Sequence, residues 1–149
     1  MTIYFVSDHA GFLLRQTLLS HVVSVGYTVV DLGSEGTASV DYPDFGVKLA
    51  MALKQDKGAR GIAICGSGIG ISIALNRFSW VRAALVSAPE AAELAREHND
   101  ANVLAFGERL IAAETAKESV QKFLSTEFEG GRHQRRVDKL SKISQGNGN

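Results

Sequence analysis

A glycine-rich segment that holds the only cysteine of the chain, Cys65–Ser72, follows an apolar run and precedes a helical pattern. Glycines at a strand end let backbone N–H groups approach an anion, and the start of the next helix adds partial positive charge. A cysteine at such a position is favoured as a thiolate, which can act as a base. A small buried side chain at the end of a core strand is the other interpretation of Cys65. This segment alone leaves both open.

Single residues of this segment exclude three familiar phosphate-binding motifs. A dinucleotide fingerprint that starts at Gly66 requires glycine where Ile71 stands. A cysteine phosphatase signature requires arginine at that same position. A P-loop that starts at Gly61 requires lysine where Ser67 stands. What remains is a thiol beside N–H groups that can hold an oxyanion.

Three further polar segments carry side chains suited to acid–base work or phosphate binding. Asp8 and His9 close the first apolar run, where Asp8 could equally cap a helix and His9 could face solvent. The stretch 96–102 contains one histidine and is predicted to be a polar loop before the fifth strand. Arg132 and Arg136 share one helical face, where two guanidinium groups can hold a phosphate or lie in solvent.

Apolar periodicity divides the chain into alternating strands and helices, which predicts a parallel α/β sheet covered on both faces. Ligands bind at the carboxyl ends of such strands, so Asp8–His9, Cys65–Gly70 and Ser87 are expected at one edge. The predicted strands are 3–6, 27–32, 61–65, 82–86 and 103–106. The predicted helices are 12–23, one entered at 41–43, 72–78, 90–97, 112–124 and an extra C-terminal helix at 130–144, before a frayed tail at 145–149.

Composition fits one globular domain over residues 1–149, with 45% hydrophobic and 21% charged residues. Sixteen Lys and Arg balance sixteen Asp and Glu, which argues against nucleic-acid and anionic-membrane partners. A single cysteine excludes an intrachain disulfide and a multi-cysteine zinc site. The absence of a long apolar run and of a signal-peptide pattern predicts a cytoplasmic protein.

Taken together, these motifs resemble the ribose-5-phosphate isomerase B (RpiB/LacAB) family of sugar-phosphate isomerases over nearly the whole chain. The resemblance implies a Rossmann-like α/β/α sandwich with a five-stranded parallel sheet and an extra C-terminal helix. It also implies a homodimer, in some members a tetramer, with sites built between subunits and no metal or cofactor. The motifs that carry it are Asp8–Phe12, Asp41–Pro43, Cys65–Gly70, Arg96–Leu104 and Gly130–His133.

The resemblance also implies a role for each site residue. Cys65 matches the general base that moves a proton between C2 and C1 of the sugar through a cis-enediolate. His98 matches the residue that opens the furanose ring. The other implied residues are Asp8 and Tyr42 as polar helpers; Ser67 with the loop residues Gly66, Gly68, Ile69 and Gly70 at the enediolate oxygens; His9, Arg109, Arg132 and Arg136 at the phosphate; and Asn99 at a sugar hydroxyl.

The expected activity is therefore the interconversion of ribose 5-phosphate and ribulose 5-phosphate. The same chemistry on a six-carbon sugar phosphate, allose or galactose 6-phosphate, is the first alternative. A non-catalytic sugar-phosphate-binding protein is the second, although the presence of Cys65 and His98 argues against it. Two positions differ among family members. Ser67 stands where many have threonine and keeps the hydroxyl, and Ile71 stands where members without the cysteine carry a glutamate base, so this chain resembles the cysteine type.

Overall fold

Five apolar runs of the sequence form one fully parallel sheet in the computed structural model, which describes residues 1–143. The strand order is β2-β1-β3-β5-β4. The central strands β3 and β5 are buried at every residue, as their continuous apolar sequence predicts for strands covered on both faces. The strands are β1 (Thr2–Ser7), β2 (Thr28–Asp31), β3 (Arg60–Cys65), β4 (Ala83–Leu85) and β5 (Val103–Gly107).

Five of the six α-helices found among residues 1–143 alternate with these strands and form the two outer layers. One layer, α1, α4 and α5, packs on the sheet face that includes Ile62 and Ile64. The other, α2 and α3, packs on the face that includes Ala63 and Cys65, because successive side chains of a strand point to opposite faces. The helices are α1 (Phe12–Ser24), α2 (Tyr42–Gln55), α3 (Ile69–Leu75), α4 (Pro89–Asn99), α5 (Ala113–Ser125) and α6 (Arg132–Lys142).

The predicted fold class is confirmed: the chain is a Rossmann-like α/β/α sandwich with a five-stranded parallel sheet and an extra C-terminal helix. That helix, α6, lies beyond the last strand and packs beside α4. Within residues 1–143, none of the helices combines the length and apolar character that a bilayer crossing requires.

Two predicted helices have wrong bounds, and both differences matter for the site. The helix predicted at 72–78 spans Ile69–Leu75 and begins directly after the left-handed residue Gly68, so it follows the glycine loop without a spacer. The stretch 96–102 is not wholly a loop, since α4 continues through Asn99. The predicted frayed tail at 145–149 and the last residue of the predicted C-terminal helix lie outside the described residues.

Candidate active site

The carboxyl ends of β1, β3 and β5 bring three backbone segments together. In the sheet register Ser7 pairs with Ile64, and Cys65 pairs with Gly107. The amide of Asp8 donates a hydrogen bond to the carbonyl of Ile64 at 3.2 Å, which sets Asp8 beside the end of β3. The parallel arrangement thus gathers the end of each central strand at one edge of the sheet, here called the carboxyl edge.

Cys65 is buried, and its sulfur is held by the loop that follows it. The backbone N–H of Gly68 donates a hydrogen bond to Sγ at 3.1 Å. Gly68 has a φ of +75°, and a Cβ at this position would lie 2.5 Å from Cδ1 of Leu85. Only glycine fits both this left-handed backbone and this space, so the amide can turn back onto the sulfur. The Cys65 thiol is therefore both buried and bound by a backbone N–H donor.

The loop after β5 brings a cation to the glycine loop. The amide of Arg109 donates a hydrogen bond to the carbonyl of Gly66 at 3.1 Å. A Cβ on Gly66 would lie 3.0 Å from Nη1 of Arg109, so the guanidinium group lies against this glycine. Ser67 is half-buried next to it, and its Oγ accepts a hydrogen bond from the N–H of Ile69 at 3.2 Å. A hydroxyl and a guanidinium group thus accompany the thiol.

Asp8 and His9 are both fixed by backbone hydrogen bonds. Asp8 caps a short 3-10 turn, and its Oδ1 accepts a hydrogen bond from the amide of Gly11 at 3.1 Å. Nδ1 of His9 accepts a hydrogen bond from the N–H of Val40 at 3.2 Å. An acceptor Nδ1 places the proton of the neutral ring on Nε2. The loop before α2 therefore sets the orientation and the tautomer of His9.

Tyr42 is the first residue of α2 and packs against the glycine loop. A Cβ on Gly70 would lie 2.6 Å from Cζ of Tyr42, so the aromatic ring occupies the space that a side chain at this position would need. The ring remains 40% exposed. The carboxyl edge thus unites Asp8, His9, Tyr42, the loop Cys65–Gly70 and Arg109.

A shallow cavity of about 300 Å³ opens beside Ser67 and is bordered by apolar side chains. Ser87, which the sequence assigns to the same edge, also lines it. The apolar side chains at its rim are well exposed: Ile69 by 51%, Leu85 by 44% and Leu110 by 67%. The carboxyl edge therefore combines a polar loop with an uncovered apolar border.

His98 and Asn99 lie elsewhere, on the last turn of α4. This helix starts after β4 and runs back across the sheet, so it ends where the strands begin, at the amino edge. The carbonyl of Asn102, just before β5, accepts a hydrogen bond from the amide of Gly61 at the start of β3 at 2.8 Å. This hydrogen bond places the end of the segment 96–102, which contains His98, at the amino edge.

Arg132 and Arg136 begin α6 and share the neighbourhood of His98. Their side chains are exposed, whereas His133 between them in sequence is buried. The ring of His133 stacks on the ring of His98, with centroids 4.3 Å apart and an interplanar angle of 14°. A second group, His98, Asn99, Arg132 and Arg136, therefore forms at the amino edge.

The length of a strand separates the two groups within one chain. β3 has 6 residues, and a strand rises about 3.3 Å per residue, so the edges lie roughly 15–20 Å apart. A small ligand in contact with Cys65 therefore does not reach His98 of the same chain. The motifs of the sequence do not reveal this separation.

The turn after Asn99 is held by residues for which the motifs indicated no role. Asp100 has a φ of +46°, and its carboxylate binds Arg96 at 2.9 Å and Arg82 at 2.8 Å. Nε of Arg82 also donates a hydrogen bond to the carbonyl of Asp100 at 2.8 Å. The acidic residue between two cations fixes the helix end that carries His98.

Arg15 is a second positioning residue that the sequence did not single out. It is 2% exposed, and its guanidinium donates a hydrogen bond to Oγ of Ser7 at 2.8 Å and another to the carbonyl of Ser34. Burial lowers the pKa of Arg15, and the nearby carboxylate of Asp31 opposes that shift. Its contacts join the end of β1 to the loop that holds His9. An arginine at the inward-facing spacing of α1 was the available signal.

His98, Glu129 and His133 are the one group of metal-ligating side chains found among residues 1–143, with ligand atoms within 4.8 Å of one another. Their geometry does not favour a shared ion. A metal lies in the plane of each imidazole that binds it, whereas these two rings lie face to face. Both lone pairs therefore cannot point at one ion unless a ring rotates.

Comparison with known proteins gives one consistent result. The family model described as "Ribose/Galactose Isomerase" matches residues 3–140. The chain is 44% identical to ribose-5-phosphate isomerase B of Escherichia coli over 143 residues, 96% of each protein.

Solved structures agree with the sequence comparison. Ribose-5-phosphate isomerase B of Clostridium thermocellum superposes with a TM-score of 0.93 at 47% identity, covering 96% of this chain and 97% of that one. The enzyme of Mycoplasma genitalium, solved with bound ribulose 5-phosphate, superposes with a TM-score of 0.91 at 40% identity, covering 95% and 94%.

Proposed function

The chain belongs to the ribose/galactose isomerase family, and we propose that it interconverts D-ribose 5-phosphate and D-ribulose 5-phosphate. The observation that carries the proposal is the position of Cys65 at the carboxyl edge. There the backbone amide of Gly68 is directed at its sulfur, and Asp8 and Arg109 are hydrogen-bonded through their amides to the carbonyls of the residues on either side of it, Ile64 and Gly66. The names of the relatives and the bound ribulose 5-phosphate of the Mycoplasma genitalium enzyme supply the substrate class.

The first chemical step is the opening of the furanose ring. We assign His98 the proton that arrives at the ring oxygen as the bond from C1 to that oxygen breaks. The hydroxyl proton on C1 leaves to Asp8, and C1 becomes an aldehyde. An imidazole suits this task because its reference pKa of about 6.5 allows it to give and take protons near neutrality.

The second step moves a proton from C2 to C1. The thiolate of Cys65 removes the proton on C2, and the electron pair shifts through a cis-enediolate onto the oxygen of C1. Ser67 and the N–H groups of the glycine loop hold the two enediolate oxygens, since fixed donors meet developing charge better than mobile water. The O2 proton passes to O1, and Cys65 returns its proton to C1 to leave a ketone at C2.

The phosphate is held by one histidine and three arginine side chains and does not react. His9 offers an N–H at Nε2 because its Nδ1 is already an acceptor. Arg109 lies over the glycine loop, and the exposed Arg132 and Arg136 share one face of α6. Binding energy from this remote group orients C1 and C2 at the thiol. Asn99 is assigned to a sugar hydroxyl.

A complete site requires two subunits. The carboxyl-edge group and the amino-edge group lie too far apart in one chain, so a second copy must supply His98, Asn99, Arg132 and Arg136. The exposed apolar border at Ile69 provides a surface for that copy. We therefore propose a homodimer as the minimal active form, with a dimer of dimers as its larger alternative.

A six-carbon sugar phosphate is the second candidate substrate. It is favoured by one observation, the family description, which covers galactose as well as ribose isomerases. A non-catalytic binding protein is a weaker alternative because Cys65 and His98 are both present. For the pentose reaction we infer a cytoplasmic role in the non-oxidative pentose phosphate pathway.

The deciding experiment measures ketose formation from ribose 5-phosphate, allose 6-phosphate and galactose 6-phosphate by wild type and by Cys65→Ala. The proposal expects the highest kcat/KM on the pentose and no turnover by the variant, which still binds the sugar phosphate. Activity on a hexose phosphate alone would show that the substrate is a six-carbon sugar phosphate. Binding without turnover of any of the three would favour the non-catalytic reading.

Mixing two inactive variants tests the shared site. Each of Cys65→Ala and His98→Asn removes a residue from a different half of the site. Random reassociation of an equal mixture makes half of the dimers hybrids, and each hybrid has one intact site of two, so we expect about a quarter of wild-type activity. Mixing that restores no activity, although hybrids form, would contradict a site built from two chains.

A further inference from the structure

His133 is buried behind His98, and the proposed chemistry gives it no task. The residue is only 5% exposed. Its ring lies parallel to that of His98 at van der Waals distance, with an interplanar angle of 14° and centroids 4.3 Å apart. His98 is half-buried, so it presents one face to His133 and keeps an accessible edge.

The turn before α6 also fixes the position of His133. Its backbone N–H donates a hydrogen bond to the carbonyl of Gly130 at 2.9 Å. Its Nε2 lies 3.3 Å from Oε2 of Glu129. The amide of Glu129 in turn donates a hydrogen bond to the carbonyl of Glu97 at 3.1 Å, which ties the turn before α6 to the last turn of α4. The two histidines therefore belong to one cross-linked unit.

We propose that His133 is a positioning residue whose flat ring sets the plane of the His98 imidazole, and that the backbone hydrogen bonds of the turn before α6 hold the two rings together. A proton moves along the in-plane direction of an imidazole nitrogen, so a ring that rotates about its Cβ–Cγ bond misses its target. A flat neighbour against one face removes that freedom at little entropic cost. This inference rests on the proposed ring-opening role of His98.

Burial separates His133 from its neighbours Arg132 and Arg136. Those arginines are exposed and available to a phosphate, whereas His133 is covered by His98 and by α4. Among the described residues its Nε2 has no aligned hydrogen-bond partner, although Oε2 of Glu129 lies 3.3 Å away. His133 thus acts through His98 rather than on the sugar.

The test compares a cyclic substrate with one that cannot cyclise. In erythrose 4-phosphate the oxygen needed for a furanose ring carries the phosphate, so its isomerisation requires no ring opening. The measured quantity is kcat/KM on ribose 5-phosphate divided by kcat/KM on erythrose 4-phosphate. General damage to the fold lowers both terms and leaves this ratio unchanged.

Two variants of His133 separate a flat neighbour from a proton-carrying one. His133→Leu removes the planar face, and we expect the ratio to fall about two- to tenfold, the range that a stacked pair contributes. His133→Phe keeps a flat ring without nitrogens, and we expect it to retain the ratio. An unchanged ratio in the leucine variant overturns the proposal. An equal fall in both variants also overturns it, because the nitrogens would then matter and not the plane.

A third variant separates this inference from the function on which it rests. His98→Asn must lower the same ratio; if it lowers both activities equally, the ring-opening role itself fails. The stack can be tested without altering His133, since the ring current shifts the imidazole proton signals of His98 upfield. These signals are assigned by their loss in His98→Asn, and unshifted signals in the wild-type spectrum would overturn the stack.

Discussion

Asp100 is the residue at which a single substitution tests how the amino-edge group is held. Its φ of +46° is the only positive φ of a non-glycine residue within 1–143. Its carboxylate bridges Arg96 at 2.9 Å and Arg82 at 2.8 Å. The Arg96 side chain is 6% exposed and that of Asp100 33%, so the pair with Arg96 is shielded on one side. Loss of this bridge leaves a buried guanidinium without its counter-charge.

Three variants of Asp100 separate two contributions to the free energy of unfolding: the charge of the carboxylate and the left-handed backbone. Asp100→Asn tolerates the left-handed backbone but keeps one acceptor oxygen, so one charge-assisted hydrogen bond is lost and the other weakens. With a discount for partial exposure, this costs about 2 kcal/mol. Asp100→Gly loses both bonds and costs about 3 kcal/mol. Asp100→Ala adds the left-handed penalty of an L-residue, about 1 kcal/mol more than glycine after the chain-entropy difference.

Urea unfolding at one fixed protein concentration measures these differences, since association adds to the apparent stability of an oligomer. We expect the order wild type, Asn, Gly, Ala in the free energy of unfolding. An asparagine variant as stable as wild type would refute the charged bridge. An alanine variant as stable as the glycine variant would refute the backbone contribution. Because His98 directly precedes this turn, we also expect the asparagine variant to turn over ribose 5-phosphate more slowly.

Three further predictions follow from contacts at the two edges. Gly70→Ala places a Cβ 2.6 Å from Cζ of Tyr42, so we expect a lower Tm. Adding Tyr42→Ala should restore the Tm, and a double variant with an equally low Tm would show that the Tyr42 ring is not the obstacle. Arg15→Met keeps an apolar stem but leaves the carbonyl of Ser34 without its buried donor, so we expect a loss of about 2–3 kcal/mol in urea unfolding. A loss below the error of the fit would contradict a structural role. Arg136→Ala should raise KM for ribose 5-phosphate about tenfold or more with a smaller change in kcat, and steady-state kinetics with an unchanged KM would remove it from the phosphate site.

The parts of the fold that apolar patterning determines could be predicted from the sequence. β3 and β5 are continuous apolar runs, and both are central buried strands of the parallel sheet. The end of β3 therefore identified the carboxyl edge and Cys65 on it. Register and order follow from pairing between distant strands, and no local pattern encodes such pairing.

The two misplaced helix boundaries share a physical cause. At Gly68 and at Asp100 the chain takes a left-handed conformation, which starts or ends a helix within a single residue. Glycine signals that freedom by its type, although several glycines in the loop obscure which one uses it. Asp100 gives a weaker signal, because its conformation depends on contacts with Arg82 and Arg96.

The division of the site between two edges follows from how an α/β chain is wound. A strand runs to the carboxyl edge, and the helix after it must return before the next parallel strand can begin. Cys65 ends a strand, whereas His98 ends a returning helix. As long as the segment around His98 is taken for a loop, the sequence does not tell at which edge of the sheet it lies. Once it is recognised as the last turn of α4, it must lie a full strand length from the Cys65 thiol. In the homodimer that we propose, two subunits related by a two-fold axis would bring opposite edges together twice, so one separation within the chain would generate two equivalent sites.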